Sequence, residues 1–276
     1  MIKEVKKGQI TVFVIVAIVI VSSVAAYFIF RDKLQIESFP KEFAPVEDYF
    51  TSCVSDIAKD AVDLAGLQAG YVYPPEFEPG SQYAPLSSQL DFFGFAVPYW
   101  YYVSGNGIER EQVPTKTEIE KQIKRFIEER ISDCNFFEFE KQGYDVSLDF
   151  KSAGVSINEL SVDINLLATL SVQSNESKGI LSKHAVNVQS KFGKFYDLAR
   201  KIYGKQKSEL FLEKYSEDVL RLYAPVDGFE ISCSPKIWQA DKVAEGLYTA
   251  LEANVQEIKL KGNYYQLAEK ENKYFV

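Results

Sequence analysis

The sequence predicts an α+β protein in which one N-terminal transmembrane helix precedes an extracytoplasmic domain. In that domain a four-stranded antiparallel meander is flanked by helices. Three observations predict it. Residues Ile10 to Phe30 form a run of 21 residues without a charge. From Tyr144 apolar residues recur at every second position, the period of a strand with one buried face. On either side of that region they recur at spacings of three and four, which gathers them on one stripe of a helix. Helices, then strands, then helices is the order of an α+β domain whose helices cover the apolar face of a sheet.

The uncharged run is long enough to cross a bilayer, since about 20 helical residues span roughly 30 Å. A cleaved secretory signal has a shorter apolar core, and here Tyr27 to Phe30 carries the run past the small residues Ala25 and Ala26. Lys3, Lys6 and Lys7 precede it, and a mixed Arg31-Asp32-Lys33 follows. The positive-inside rule therefore places the N-terminus in the cytoplasm and the bulk of the chain outside. The expected division is a leader over residues 1–9, a membrane helix over 10–30 and an extended juxtamembrane stalk over 31–45, with Pro40 and Pro45. The outer domain follows over 46–276, with 46–140 and 141–276 as candidate sub-units.

The outer domain begins with a helix over 46–68, whose stripe is Val46, Tyr49, Phe50, Cys53, Ile57, Ala61 and Leu64. Pro74, Pro75 and Pro79 exclude helix from the next segment. Residues 97–113 read as a hairpin turning on Asn106-Gly107, a pair suited to positive φ. A second helix runs from about Lys116 to Cys134 with Ile119, Ile123, Ile127 and Ile131 every fourth residue. Thr115 and Glu118 form a capping box at its start. The four strands are Tyr144–Lys151, a short one through Val155 and Ile157 after a turn at Gly154, one through Leu160 to Leu166, and one over Gly179–Ser190. Helical stripes resume at Phe195, Leu198, Ala199 and Ile202, break after Gly204, and continue through Leu210 to Leu222. A strand at Phe229–Cys233, a helix over 237–258 and a closing hairpin over 263–276 complete the chain.

Charge and motifs bound the function. The net charge is −8, and the first eight residues are positive, so the exterior is acidic. An acidic surface without a Lys/Arg run excludes nucleic acid, whose phosphates demand a basic patch. Three cysteines lie outside the predicted membrane segment. Cys53 and Cys134 both fall on inward helical positions, which favours a Cys53–Cys134 disulfide among three possible pairings and leaves Cys233 over. The sole histidine, His184, shares strand parity with Ile180, Val186 and Val188 and reads as a core residue. No catalytic, cofactor-binding or metal-ligating motif is present. Asn175-Glu176-Ser177 is an N-glycosylation acceptor sequence. Residues 71–102 are dense in aromatics and prolines. Within them Tyr99, Trp100, Tyr101 and Tyr102 cannot all point one way along a strand, so some of these rings are candidates for a partner surface.

The junction Lys6-Lys7-Gly8-Gln9-Ile10-Thr11 resembles the class III signal of archaeal pilin-like (type IV pilin-like) proteins. That resemblance implies cleavage between Gly8 and Gln9 and a retained helix able to pack into a filament. Phe13 stands where that family carries an acidic residue. The whole chain also looks like single-pass archaeal envelope proteins. The functional expectation is a membrane-anchored envelope protein acting by contact, as a pilin-like or adhesion component, with a protein partner or self-assembly and no cofactor. The alternative is a tethered ligand-binding module that uses residues 71–102, and the sequence offers no pair of residues for an enzyme.

Overall fold

The computed structural model describes residues 15–22, 39–175, 177–223 and 239–264. The Gly8–Gln9 junction, most of the 10–30 run, the strand near 229–233, Cys233 and nearly all of the closing hairpin lie outside the described residues. Residues 15–22 are helical. Among the described residues no helix is long and apolar enough to cross a membrane.

Helix α1 spans Ala44–Leu67 and follows a 3-10 turn at Lys41–Phe43. Residues 41–45 are thus helical, where an extended stalk was expected. Pro45 sits in the first turn of α1, where its missing N–H removes no helical bond. The buried stripe of α1 is Val46, Phe50, Val54, Ile57, Ala58, Ala61 and Ala65. The helix stops where Ala69 and Gly70 adopt positive φ (55° and 96°), and the Gly70 N–H closes onto the Ala65 carbonyl at 2.7 Å.

Two small hairpins follow. Strands β1 (Gln89–Phe92) and β2 (Phe95–Pro98) pair with each other, as do β3 (Tyr101–Val103) and β4 (Glu109–Glu111). The second was expected and is shorter than the sequence suggested. In its turn Gly107 alone takes positive φ, at 80°. Asn106 instead uses its side chain, accepting from the Ser104 hydroxyl at 2.6 Å.

Helix α2 (Lys116–Arg130) carries Ile119, Ile123 and Ile127 fully buried. Its capping box is formed as expected. The Thr115 N–H donates to Glu118 Oε2 at 2.7 Å, and the Glu118 N–H donates to Thr115 Oγ1 at 3.2 Å. A short helix, α3 (Phe137–Lys141), leads into the large sheet.

That sheet has three strands, β5 (Asp145–Ile157), β6 (Ser161–Gln173) and β7 (Lys178–Gln189), in the order β5-β6-β7. The expected four-stranded meander is corrected here. Gly154 does not turn the chain, so the first two expected strands are one strand of 13 residues. The sequence misleads because the buried parity switches within β5. Val146, Leu148 and Phe150 lie on even numbers, while Ala153, Val155 and Ile157 lie on odd ones. A one-residue shift in parity is the mark of a bulge, and it mimics a break when read as strict alternation. In β6 alternation is unbroken, and Val162, Ile164, Leu166, Ala168, Leu170 and Val172 are at most 1% exposed. This is the pattern of a central strand with one face on a core. In β7 a second parity switch turns Ile180 outward, while His184, Val186 and Val188 remain buried.

Helices α4 (Phe192–Glu209), α5 (Phe211–Tyr223) and α6 (Ala240–Lys261) end the described chain. Helix α4 runs through Gly204, where a break was expected. The break falls at Leu210, which takes positive φ (51°).

The described residues divide into two compact units. The first comprises Met1–Lys59, Lys124–Gly154 and Ile164–Val186. Its core includes Phe43, Phe50, Phe136, Ile164, Leu166, Ala168, Leu170 and Val172. Phe50 meets the Phe136 ring at 6.3 Å, and Phe43 meets Tyr144 edge-on at 6.0 Å. Gly179 permits Phe43 to lie against β7, because a Cβ there would come within 2.7 Å of the Phe43 ring. The second unit comprises Asp60–Ile123, Val155–Asp163 and Asn187–Val276. Its core includes Val72, Tyr102, Ile119, Ile123, Tyr196 and Phe211.

Candidate functional site

The aromatic segment falls in the second unit, and its backbone is held mainly by side chains. Proline supplies no N–H and excludes a regular ladder, so buried peptide groups must find other partners. Gln122 Oε1 accepts from the N–H groups of both Val72 and Tyr73, each at 2.9 Å. Gln68 Nε2 donates to the carbonyls of Tyr71 and Val72 at 3.1 and 3.3 Å. Gln112 Nε2 donates to the Ser88 and Tyr99 carbonyls at 3.0 and 2.9 Å, while its own carbonyl accepts from the Tyr71 hydroxyl at 2.7 Å. Three glutamines thus do for this segment what neighbouring strands do for a sheet.

The four consecutive rings separate by burial. Tyr102 is 7% exposed, and burial first and then the Glu78 carboxylate raise the pKa of its phenol. Trp100 is half-buried. Its Nε1 donates to the Ala69 carbonyl at 2.8 Å, and its ring meets Tyr203 edge-on at 5.5 Å and Tyr196 at 6.3 Å. Tyr99 is half-buried, and only Tyr101 is exposed, at 44%. Beside them Glu111 accepts from the Tyr203 hydroxyl at 3.0 Å and from the Lys207 ammonium. Those donors, Lys207 first, hold the Glu111 carboxyl below its ordinary range. Burial and then the Glu111 carboxylate push the Tyr203 phenol up to about 12. This cluster ties β4 to α4, and its polar atoms are occupied by one another.

The exposed rings lie earlier in the chain, on a hairpin beyond those expected from the sequence. In the β1–β2 pair Phe92 stands opposite Phe95, so the loop is Phe93-Gly94 alone. Both loop residues take positive φ, 51° and 83°, as a tight two-residue turn of this hand requires. Asn or Gly normally fills the first position. A bulky L-residue there costs ~1–2 kcal/mol. Phe93 is nonetheless 88% exposed, and its ring meets the half-exposed Phe92 ring edge-on at 4.7 Å. Asp91 Oδ1 accepts from the Gly94 N–H at 3.0 Å and fixes the turn. Phe77, Gln89, Asp91, Gly94 and Ala96 line a cleft of about 330 Å³ beneath it. The signal that could have located the hairpin is the alternation of Leu90 and Phe92 with Phe95 and Val97 about a lone glycine.

The stretch of chain that holds the hairpin carries charge of one sign. Residues 60–109 contain no Lys or Arg, while Asp60, Asp63, Glu76, Glu78, Asp91 and Glu109 are all exposed.

The other singled-out residues are placed as follows. Cys53 and Cys134 meet in the first unit, with Cα atoms 5.9 Å apart and the sulfurs bonded. Neither thiol is therefore free as a nucleophile or metal ligand. Asn175 is exposed at the turn between β6 and β7, where the Ser174 N–H donates to the Ser177 carbonyl at 2.9 Å. His184 is 3% exposed, its Nε2 lies 3.0 Å from the Ala168 carbonyl, and Phe50 packs edge-on at 4.9 Å. Its Nδ1 is buried without a hydrogen-bond partner. Among the described residues no group of three or more His, Cys, Asp or Glu side chains is placed to hold a metal ion. Comparison with known protein families, with characterised proteins and with solved structures finds no match.

Proposed function

We propose that the chain is a membrane-tethered envelope protein that acts by contact, presenting its α+β region on the outer side of the membrane. The carrying observation is the state of the uncharged run. Its described part, residues 15–22, is helical, and Ile15, Val16, Ile18, Val19, Ile20 and Val21 are 49–68% exposed on all its sides. A helix that is apolar all round belongs in a core or in lipid, and all eight described residues of this one are exposed. The Cys53–Cys134 bridge supports an oxidising compartment for the folded part. The exposed aromatics of the second unit support a contact role.

Extraction of membranes at alkaline carbonate tests the tether. The chain is expected to stay with the lipid, and its release into the supernatant sinks the reading. Protease added to intact cells should degrade the folded part. Mass spectrometry of the mature N-terminus separates the two forms of anchor: Gln9 supports pilin-type processing, and an intact leader supports a plain anchor.

A second reading, a tethered ligand-binding module, is favoured by one observation. The cleft lined by Phe77, Gln89 and Asp91 joins a ring to two polar side chains, and Gln89 Oε1 is buried without a partner. Its volume is at the small end of ligand sites, roughly 300–1,000 Å³, which ranks it second.

A further inference from the structure

We infer that the Phe92-Phe93-Gly94 tip of the β1–β2 hairpin is a docking element for a protein partner with an apolar pocket rimmed by Lys and Arg. The inference rests on the contact reading above and names the element and the partner chemistry. Three independent features carry it. The first is that the fold does not require the ring: Asn or Gly at position 93 would make the same turn with a relaxed backbone, and the Phe93 ring is 88% exposed. The second is that the tip is held in shape before any partner arrives. The turn has two residues, Asp91 bonds the Gly94 N–H at 3.0 Å, and Phe92 buttresses Phe93 at 4.7 Å. A rigid aromatic anchor loses little freedom on entering a pocket.

The third feature is charge, which selects the occupant. Asp91 is exposed in the hairpin itself, Glu76 is exposed and adjoins Phe77 of the cleft lining, and the stretch 60–109 holds six exposed carboxylates and no cation. An anionic lipid surface and a second copy of this stretch would both be repelled. A pocket with a basic rim is complementary, and complementary charge steers and registers the encounter.

The test places photoreactive p-benzoylphenylalanine at position 93 of the full-length protein, in the cells that make it. The expected result is one protein adduct, mapped to a peptide with apolar residues flanked by Lys or Arg. The charge reversal Glu76→Lys should cut the yield about fivefold. With that partner purified, Phe93→Gly should abolish binding while raising the thermal midpoint of the variant. Adducts to lipid alone, to another copy or to a peptide without basic residues would overturn the inference, as would no adduct. Undiminished binding by Phe93→Gly, or a lowered midpoint, would also overturn it. Carbonate extraction of the same cells reports on the tether separately. A tethered protein without the adduct defeats only the docking inference.

Discussion

The first unit and the second differ in how they satisfy a buried backbone. In the first, strands do it for one another: from Ile164 onward β6 alternates without interruption, its inward side chains are essentially inaccessible, and a disulfide adds a covalent tie between Cys53 and Cys134. In the second, the stretch between α1 and α2 has two hairpins of three- and four-residue strands, and glutamines complete what those strands leave open. Repeating backbone partners allow many side chains to change without loss of register. A backbone held by particular amides depends on those few residues.

Five experiments would break or sharpen this contrast. The largest expected effect belongs to the first unit. Its disulfide links residues 81 apart in sequence, and replacing both cysteines by alanine should lower stability by about 4 kcal/mol in denaturant titration. An unchanged midpoint would show that the sheet alone suffices. Next, Gln122→Leu removes the acceptor of two N–H groups and should cost about 3 kcal/mol, while a loss under about 0.5 kcal/mol would mean that water replaces the amide. In the first unit Gly179→Ala drives a methyl into Phe43 and should cost about 2 kcal/mol by the same titration. A neutral result would show that Phe43 can withdraw.

The fourth effect has the opposite sign. Phe93→Gly relaxes a strained turn and should raise stability by about 1 kcal/mol, since the ring packs on little besides Phe92. The smallest effect is seen at high pH. Tyr203 keeps its proton in the folded state until about pH 12, whereas an unfolded tyrosine loses it near pH 10. Its contribution is therefore complete below the unfolded pKa and fades as pH rises through the folded value. Phe at position 203 should flatten the alkaline decline and remove the latest phase of phenol titration at 295 nm. An unaltered phase would assign the late proton to another tyrosine.

Legibility in the sequence follows the same division. Helices α1 and α2, the isoleucine ladder and the Thr115–Glu118 capping box were all readable, because each is a local or periodic pattern. The Cys53–Cys134 pair was readable as the favoured choice among three. The three-stranded sheet was nearly so, and one parity switch in β5 made it look like four strands. Gly204 looked like a helix break and is not one, because a single glycine costs a helix only about 1 kcal/mol. Leu210 breaks it instead, and nothing about a leucine announces positive φ. The surface rings were the hardest part. Tyr99 to Tyr102 stand out as a run, yet burial there depends on the long-range partners Ala69, Glu78 and Tyr203. Phe93 is outward because of a turn that its own residue type disfavours.

The bridge between Cys53 and Cys134 has a further consequence for the intervening chain. Every residue from 60 to 123, including both small hairpins, lies within the covalent ring that this bridge closes. A protease that severs the peptide bond beside Tyr83 or Phe93 therefore opens the ring without freeing a fragment. The two ends stay joined through sulfur until a reductant arrives, so a nicked molecule runs at full mass on a non-reducing gel and as two pieces once reduced. A molecule cut at either of these exposed rings would remain fastened to whatever holds its N-terminal part.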